Sequence, residues 1–190
     1  MTSISREGPE HAASVLADDH SEIDILIGDL LGALEEGEKS KAFTRLDLLW
    51  ARLAVHIRAE HLCLFPSILE GNFSDTRSGP TYQEAERAID QLRLDHDFFM
   101  RELGTTVNGM RNQRDVSDNE LLIELFRDVR RSVVSIQSRL VEHNRLEESY
   151  VYRWVNFLLS ETERSALMTR IRRELENMPP RFSSDSEKTR

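Results

Sequence analysis

The chain is short of the residues that cross-link, kink or loosen a backbone: it has one cysteine, Cys63, five prolines and eight glycines. A lone cysteine excludes an internal disulfide and any cysteine-rich metal site, so a bound metal would rely on histidine and carboxylate. The prolines stand at Pro9, Pro66, Pro80, Pro179 and Pro180, and nothing in 10–65 or 81–178 forbids continuous helix. Positive charge is also scarce. A net charge of -9 and a pI near 5.2 repel polyphosphate, so nucleic acid and acidic membrane surfaces are poor partners, and small ligands or metals suit better. No stretch is apolar enough to span a bilayer, and Met1 to Ser14 lacks the basic start and apolar run of an export signal, so the expected location is the cytoplasm.

What is present suits helices: 39% hydrophobic and 31% charged residues in 190, room for one domain. Gly8-Pro9 opens helix A, about 10 to 36, and Gly37 closes it as a C-terminal glycine cap. Helix B runs from about 39 to 69, with Pro66 expected to kink it or end it early. Gly71 to Pro80 reads as a loop. Capping-box pairs then start three further helices: Thr81 with Glu84 for C, Ser117 with Glu120 for D, and Ser160 with Glu163 for E. Helix E, amphipathic through Leu167, Ile171 and Leu175, is expected to pack on the bundle, a dimer contact being the alternative; the chain is read as monomer or homodimer. The boundaries are a flexible N-terminus, 1–9, a four-helix domain, 10–160, the C-terminal amphipathic helix, 161–178, and a disordered tail, 179–190. The fold class is all-α, an up-down-up-down four-helix bundle with an extra C-terminal helix.

The apolar seams alternate in steps of three and four. They comprise Leu16, His20, Ile23, Ile27, Leu30 and Leu34 on A; Leu46, Leu49, Leu53, His56 and Glu60 on B, with Cys63 or Leu64 next; Ile89, Leu92, His96, Phe99, Leu103 and Val107 on C. Helix D gives Leu122, Phe126, Val129, Val133, Ile136, Leu140, His143 and Glu147, then Tyr150 or Val151, and Trp154. Six ionisable residues therefore sit on faces that are otherwise almost wholly apolar: His20, His56, Glu60, His96, His143 and Glu147. An unpaired carboxylate or imidazolium buried there would neutralise or destabilise the fold by several kcal/mol. A divalent metal turns both residue types into ligands; the bland alternative is a buried salt-bridge network.

Spacing favours the metal. On B and D the His and Glu are four apart, about 6 Å along one helical face. H-x-x-x-E is weak alone, as His20 with Asp24 shows, but R-L-x-x-H-x-R-x-E occurs at Arg52 to Glu60 and again at Arg139 to Glu147, 87 residues later. The offset persists to Leu64-Phe65 against Val151-Tyr152, and Asp19-His20 echoes Asp95-His96. The pattern is a duplicated helical hairpin, its first helix supplying one His and its second a His and a Glu. For the second hairpin to present its histidines at one depth, helix C must run on past Gly109 or helix D must overhang. Among neighbours, His61 reads as an outer partner or exposed, His11 as solvated, Asp24 as solvated or helping to neutralise a bound metal, and Arg58 and Arg145 as screening the carboxylates or facing water. Cys63 and Tyr150, each seven residues beyond a seam histidine on the same face, are expected to touch the cluster pocket or simply to pack near it.

At these residues the chain resembles the hemerythrin family, specifically its HHE cation-binding branch, over about 10–160; Leu62-Cys63-Leu64-Phe65-Pro66 resembles the segment after helix B's ligands. The resemblance implies a non-haem di-iron centre held by His20, His56, Glu60, His96, His143 and Glu147. The fifth histidine and the H-x-x-x-x-D helix of the oxygen carriers are absent: Met100 stands four places after His96. The chain therefore looks like the four-histidine, two-glutamate members, which include di-iron proteins of nitric-oxide stress and iron-centre repair. If both glutamates bridge, the six residues fill eight of the twelve positions of two octahedral ions. An oxo or hydroxo bridge fills two more and leaves two for dioxygen, peroxide or nitric oxide. Iron leads; zinc or manganese suit the same ligands. The expected roles are oxygen binding or sensing, a reaction with peroxide or nitric oxide, or a non-catalytic metal-binding regulatory or stress-response module.

Overall fold

A computed structural model describes residues 12–74, 79–113 and 118–182, and among these there is helix and no strand. Helix α1 is Ala12–Glu35 and α2 is Lys39–Ala59; a π-helical turn, Glu60–Leu64, leads from α2 into α3, Phe65–Leu69. Helix α4 is Tyr82–Asn112 and α5 is Asn119–Leu146. A second π turn, Glu147–Val151, leads into α6, Tyr152–Leu158, and α7 is Glu161–Glu176. Contacts join α1 to α2, α2 to α4, α4 to α5 and α5 to α1, so these four helices close a ring; α7 lies against α1 and α2.

Local chemistry sets the helix ends. Gly37 has φ +73°, and Glu38 N–H donates to Ala33 C=O at 2.9 Å while Gly37 N–H donates to Leu34 C=O at 3.4 Å, the paired bonds of a Schellman cap. Thr81 with Glu84 and Ser160 with Glu163 form complete capping boxes. Helix α5 departs from expectation, since its cap is Asp118, whose side chain accepts from Glu120 and Leu121 N–H; Ser117 lies outside the described residues, as do Gly8-Pro9 and His11. An aspartate next to the helix competes with the serine one place earlier and already carries the charge that the helix N-terminus favours.

Pro66 neither ends nor breaks helix B. The π turn before it closes through Phe65 N–H to Glu60 C=O, so Pro66 enters a resumed first turn, where its missing donor is harmless. The Leu62 carbonyl, which an α-helical residue 66 would have bonded, accepts instead from Arg170 of α7 at 2.8 Å. Arg58 likewise serves α7 rather than the carboxylates or water, donating to Glu174 Oε2 at 3.0 Å and to the Glu174 and Asn177 carbonyls. Leu167, Ile171 and Leu175 are buried beneath that helix. Beyond it Pro180–Phe182 make one 3-10 turn, tied by Arg181 to Asp47 at 3.0 Å; 1–11 and 183–190 lie outside the described residues.

The seams of α1, α2 and α4 are buried as the spacing predicts; on α5, Leu122 and Phe126 are only half-buried and Leu125 takes the inner place. Two apolar blocks result. One holds Ile23, Leu30, Leu49, Phe99, Leu103, Val133 and Leu140; the other holds Leu16, Cys63, Phe65, Leu92, Val151 and Leu167. The six ionisable seam residues fall between these blocks, at one level. For that, α4 runs on to Asn112 and α5 starts high enough to bring His143 beside His96.

Gly71 marks a tight crossing, because a Cβ there would stand 2.7 Å from Leu158 Cβ and 3.1 Å from the Ile68 carbonyl, and the next residue's N–H donates to Leu158 C=O. Gly71→Ala is expected to destabilise the protein by about 1–3 kcal/mol, with helicity retained, as a lowered urea midpoint at unchanged far-UV dichroism would report.

Candidate metal centre

All six seam residues meet. Side-chain ligand atoms of Glu60, His96, His143 and Glu147 lie within 4.8 Å of one another, as do those of His20, His56 and Glu147, so Glu147 is common to both groups. The two glutamates are wholly buried and no histidine of the four exceeds 4% exposure. In the centre, Nε2 of His20 faces Nε2 of His56 at 3.2 Å, and Nε2 of His96 faces Nε2 of His143 at 3.1 Å.

Each imidazole is held from behind. Asp19 takes Nδ1 of His56 at 2.7 Å, Asp95 that of His143 at 3.3 Å, Glu148 that of His20 at 2.8 Å, and His61 Nε2 meets His96 Nδ1 at 2.9 Å. The two aspartates are anchored in turn, Asp19 by Arg52 and Asp95 by Arg139 at 2.6 Å. With their outer nitrogens engaged by protein, all four rings present Nε2 to the centre, the orientation that outer partners impose on metal-ligating histidines. Glu60 Oε2 and Glu147 Oε1 are buried without a hydrogen bond, although an imidazole Nε2 lies 3.2 Å from each. Atom separations of 3.1–3.2 Å match the edges of a coordination shell with bonds of about 2.2 Å. The donor set therefore fits divalent metal.

The sequence model of the hemerythrin HHE cation binding domain matches residues 11–155. This chain belongs to the hemerythrin HHE cation-binding domain family. Comparison with curated proteins and with solved structures gave no match.

The π turns of this hemerythrin HHE domain explain a residue that spacing alone misplaces. Each turn begins at a buried glutamate, and a wider turn brings the residue five places on, rather than four, to the glutamate's face. Those residues are Phe65 and Tyr152. Phe65 stacks on His96, with centroids 5.9 Å apart; the Tyr152 hydroxyl lies 3.0 Å from Glu60 Oε1, 3.1 Å from Glu147 Oε2 and 3.2 Å from His20 Nε2. Its single proton serves one of the carboxylates at a time. Tyr150, expected near the site, is instead 55% exposed. Cys63 packs in the apolar block under α7, Asp24 is exposed, and Arg145 pairs with Glu142 at the surface.

Asp19, Asp95, Glu148 and Tyr152 were not singled out as partners by seam reading, and the duplication carries the signal for them. Asp19 and Asp95 each precede the seam histidine of a hairpin's first helix, Arg52 and Arg139 each stand four before a histidine, and His61 and Glu148 each follow a glutamate. Aligning the halves thus shows both networks, together with the two places where they differ.

Electrostatics follow the packing. Burial is the largest influence on His20 and His143 and pushes both down, yet Glu147, with Glu148 and Glu60 at His20 and with Asp95 and Glu60 at His143, outweighs it and raises them to about 9 and about 10. Burial pushes Glu147 up, but His143 and His20 hold it well below its ordinary 4.5. Burial, and after it the nearby His96, lowers His61, keeping it neutral. Burial and the Glu147 and Glu60 carboxylates hold the Tyr152 phenol protonated. Raised histidines stabilise the metal-free fold fully below their ordinary 6.5 and lose that contribution as pH rises through 9 to 10; the depressed glutamate contributes above 4.5 and fails as pH falls. Metal-free protein is therefore expected to have its highest urea midpoint between pH 4.5 and 6.5 and to weaken steadily towards pH 10; a midpoint that rises with pH across that range would contradict these pairings.

Proposed function

We propose that this chain is a non-haem di-iron protein in which His20, His56, His96 and His143, with Glu60 and Glu147, hold two iron ions. The observation that carries this reading is the back-to-front use of the imidazoles: four Nδ1 atoms are taken by protein partners while four Nε2 atoms converge on buried carboxylates. One oxygen of each glutamate, Glu60 Oε2 and Glu147 Oε1, is left without a hydrogen bond, and a cation among the converging Nε2 atoms would satisfy both. The closed ring of contacts and the shared ligand level support an up-down-up-down order of α1, α2, α4 and α5. Bound, an iron pair supplies ferrous–ferric cycling and open positions for a small ligand such as dioxygen, peroxide or nitric oxide.

The protein's own part is to orient and to exclude. Asp19, Asp95, Glu148 and His61 fix the rings, Tyr152 donates a hydrogen bond to the carboxylates, and the apolar blocks on either side keep bulk water out. Low polarity around the cluster strengthens each of these interactions.

Metal analysis with Mössbauer spectroscopy on protein from iron-replete cells is expected to show two irons per chain. His143→Ala and Glu147→Ala are expected to lose both, with a lower melting temperature, and Asp95→Asn to weaken metal binding by about 10–100-fold; full metal content in the first two variants would refute the site. Stopped-flow mixing of the reduced protein with dioxygen, peroxide and nitric oxide separates a reversible adduct from turnover, and inertness to all three favours a non-catalytic module.

A further inference from the structure

A cluster this deeply buried needs a way in, and the duplicated halves differ where one would lie. Beside His96, His61 and Phe65 close over the ring, with centroids 5.1 and 5.9 Å from it. In the other half the position of His61 belongs to Glu148, whose side chain is 46% exposed while its Oε1 holds His20 Nδ1. A surface pocket of about 340 Å³ opens there between α1 and α5, bounded by His20, Ser21, Asp24, Asn144, Glu148 and Ser149 among others. His20 is thus a wall of this pocket and, through Nε2, a member of the cluster.

The lining suits a cation. Ser21 and Ser149 contribute hydroxyls to a wall that also holds Val141, Asp24 and Glu148 contribute carboxylates, and Asn144 has a buried Oδ1 with no hydrogen-bond partner. Arg145, also in the wall, is turned to Glu142 at 3.3 Å. An acidic cleft concentrates cations and speeds their capture in a way that salt suppresses.

We propose that this pocket is the route by which divalent cations reach the cluster, with Glu148 drawing the ion inward to His20; the proposal rests on the metal-centre reading above. Glu148 acts through His20 and is a positioning residue. Cobalt(II) tests it: metal-free protein is mixed with Co²⁺ and the visible d–d absorption is followed in time. Ser21→Trp fills the mouth from an exposed position and is expected to slow loading roughly tenfold or more while still reaching two cobalt ions per chain. Arg87→Trp, in the pocket of about 680 Å³ beside Tyr150 and Trp154, is the control and should load at the wild-type rate. Glu148→Gln keeps the shape and is expected to load more slowly and with a flatter salt dependence, a readout that loss of structure would not imitate. Wild-type loading by both Ser21→Trp and Glu148→Gln at full occupancy overturns the route while leaving the metal centre standing. Failure of the wild-type chain to bind cobalt overturns both.

Discussion

Two wholly buried carboxylates among four nearly buried imidazoles are the constraint from which the rest of the structure follows. In an interior without water, such groups must be answered by opposite charge or by hydrogen bonds, because the lost hydration is worth several kcal/mol for each ion. The protein answers only half of the demand itself. Arg52 and Arg139 hold Asp19 and Asp95, which hold two of the rings, but the inner oxygens and nitrogens are left facing one another. A cation in their midst would satisfy the other half, and the outer network aims the rings at that centre.

The backbone departs from regular helix at the same two glutamates. Each buried glutamate opens a π turn, and the widened turn moves an aromatic residue onto the cluster's face, Phe65 in one half and Tyr152 in the other. In the first half the turn also accommodates Pro66 and frees the Leu62 carbonyl for Arg170, fastening α7 to the bundle. Arg52 joins both structures, contacting Asp19 and donating to the Leu175 carbonyl at 3.3 Å. Packing of the last helix and orientation of His56 are thereby linked through one guanidinium.

Duplication supplies the frame, and its exceptions supply the character of the site. Equivalent positions carry His61 and Glu148, Phe65 and Tyr152. One half is covered by a neutral imidazole and a phenyl ring; the other has a carboxylate reaching the surface and a hydroxyl at the centre. Two similar sets of inner side chains therefore sit in different surroundings, one covered by aromatic rings and one bordering a polar pocket.

Much of this was legible in the amino-acid order. Helix period, caps and polar residues on apolar seams are local or periodic properties, so the helices, the six inner residues and the family could be read without coordinates. The outer partners were present as a repeat, but which carboxylate serves which ring depends on how helices sit side by side: Asp19 bonds His56 of the next helix, not its neighbour His20. Tyr152 could not be placed by a regular period, because the π turn adds a residue and rotates everything after it. The sequence by itself determined which chemical groups had to be buried together; tertiary structure alone decided their partners and where the site meets solvent, since those depend on helix packing and on a local break in helical geometry.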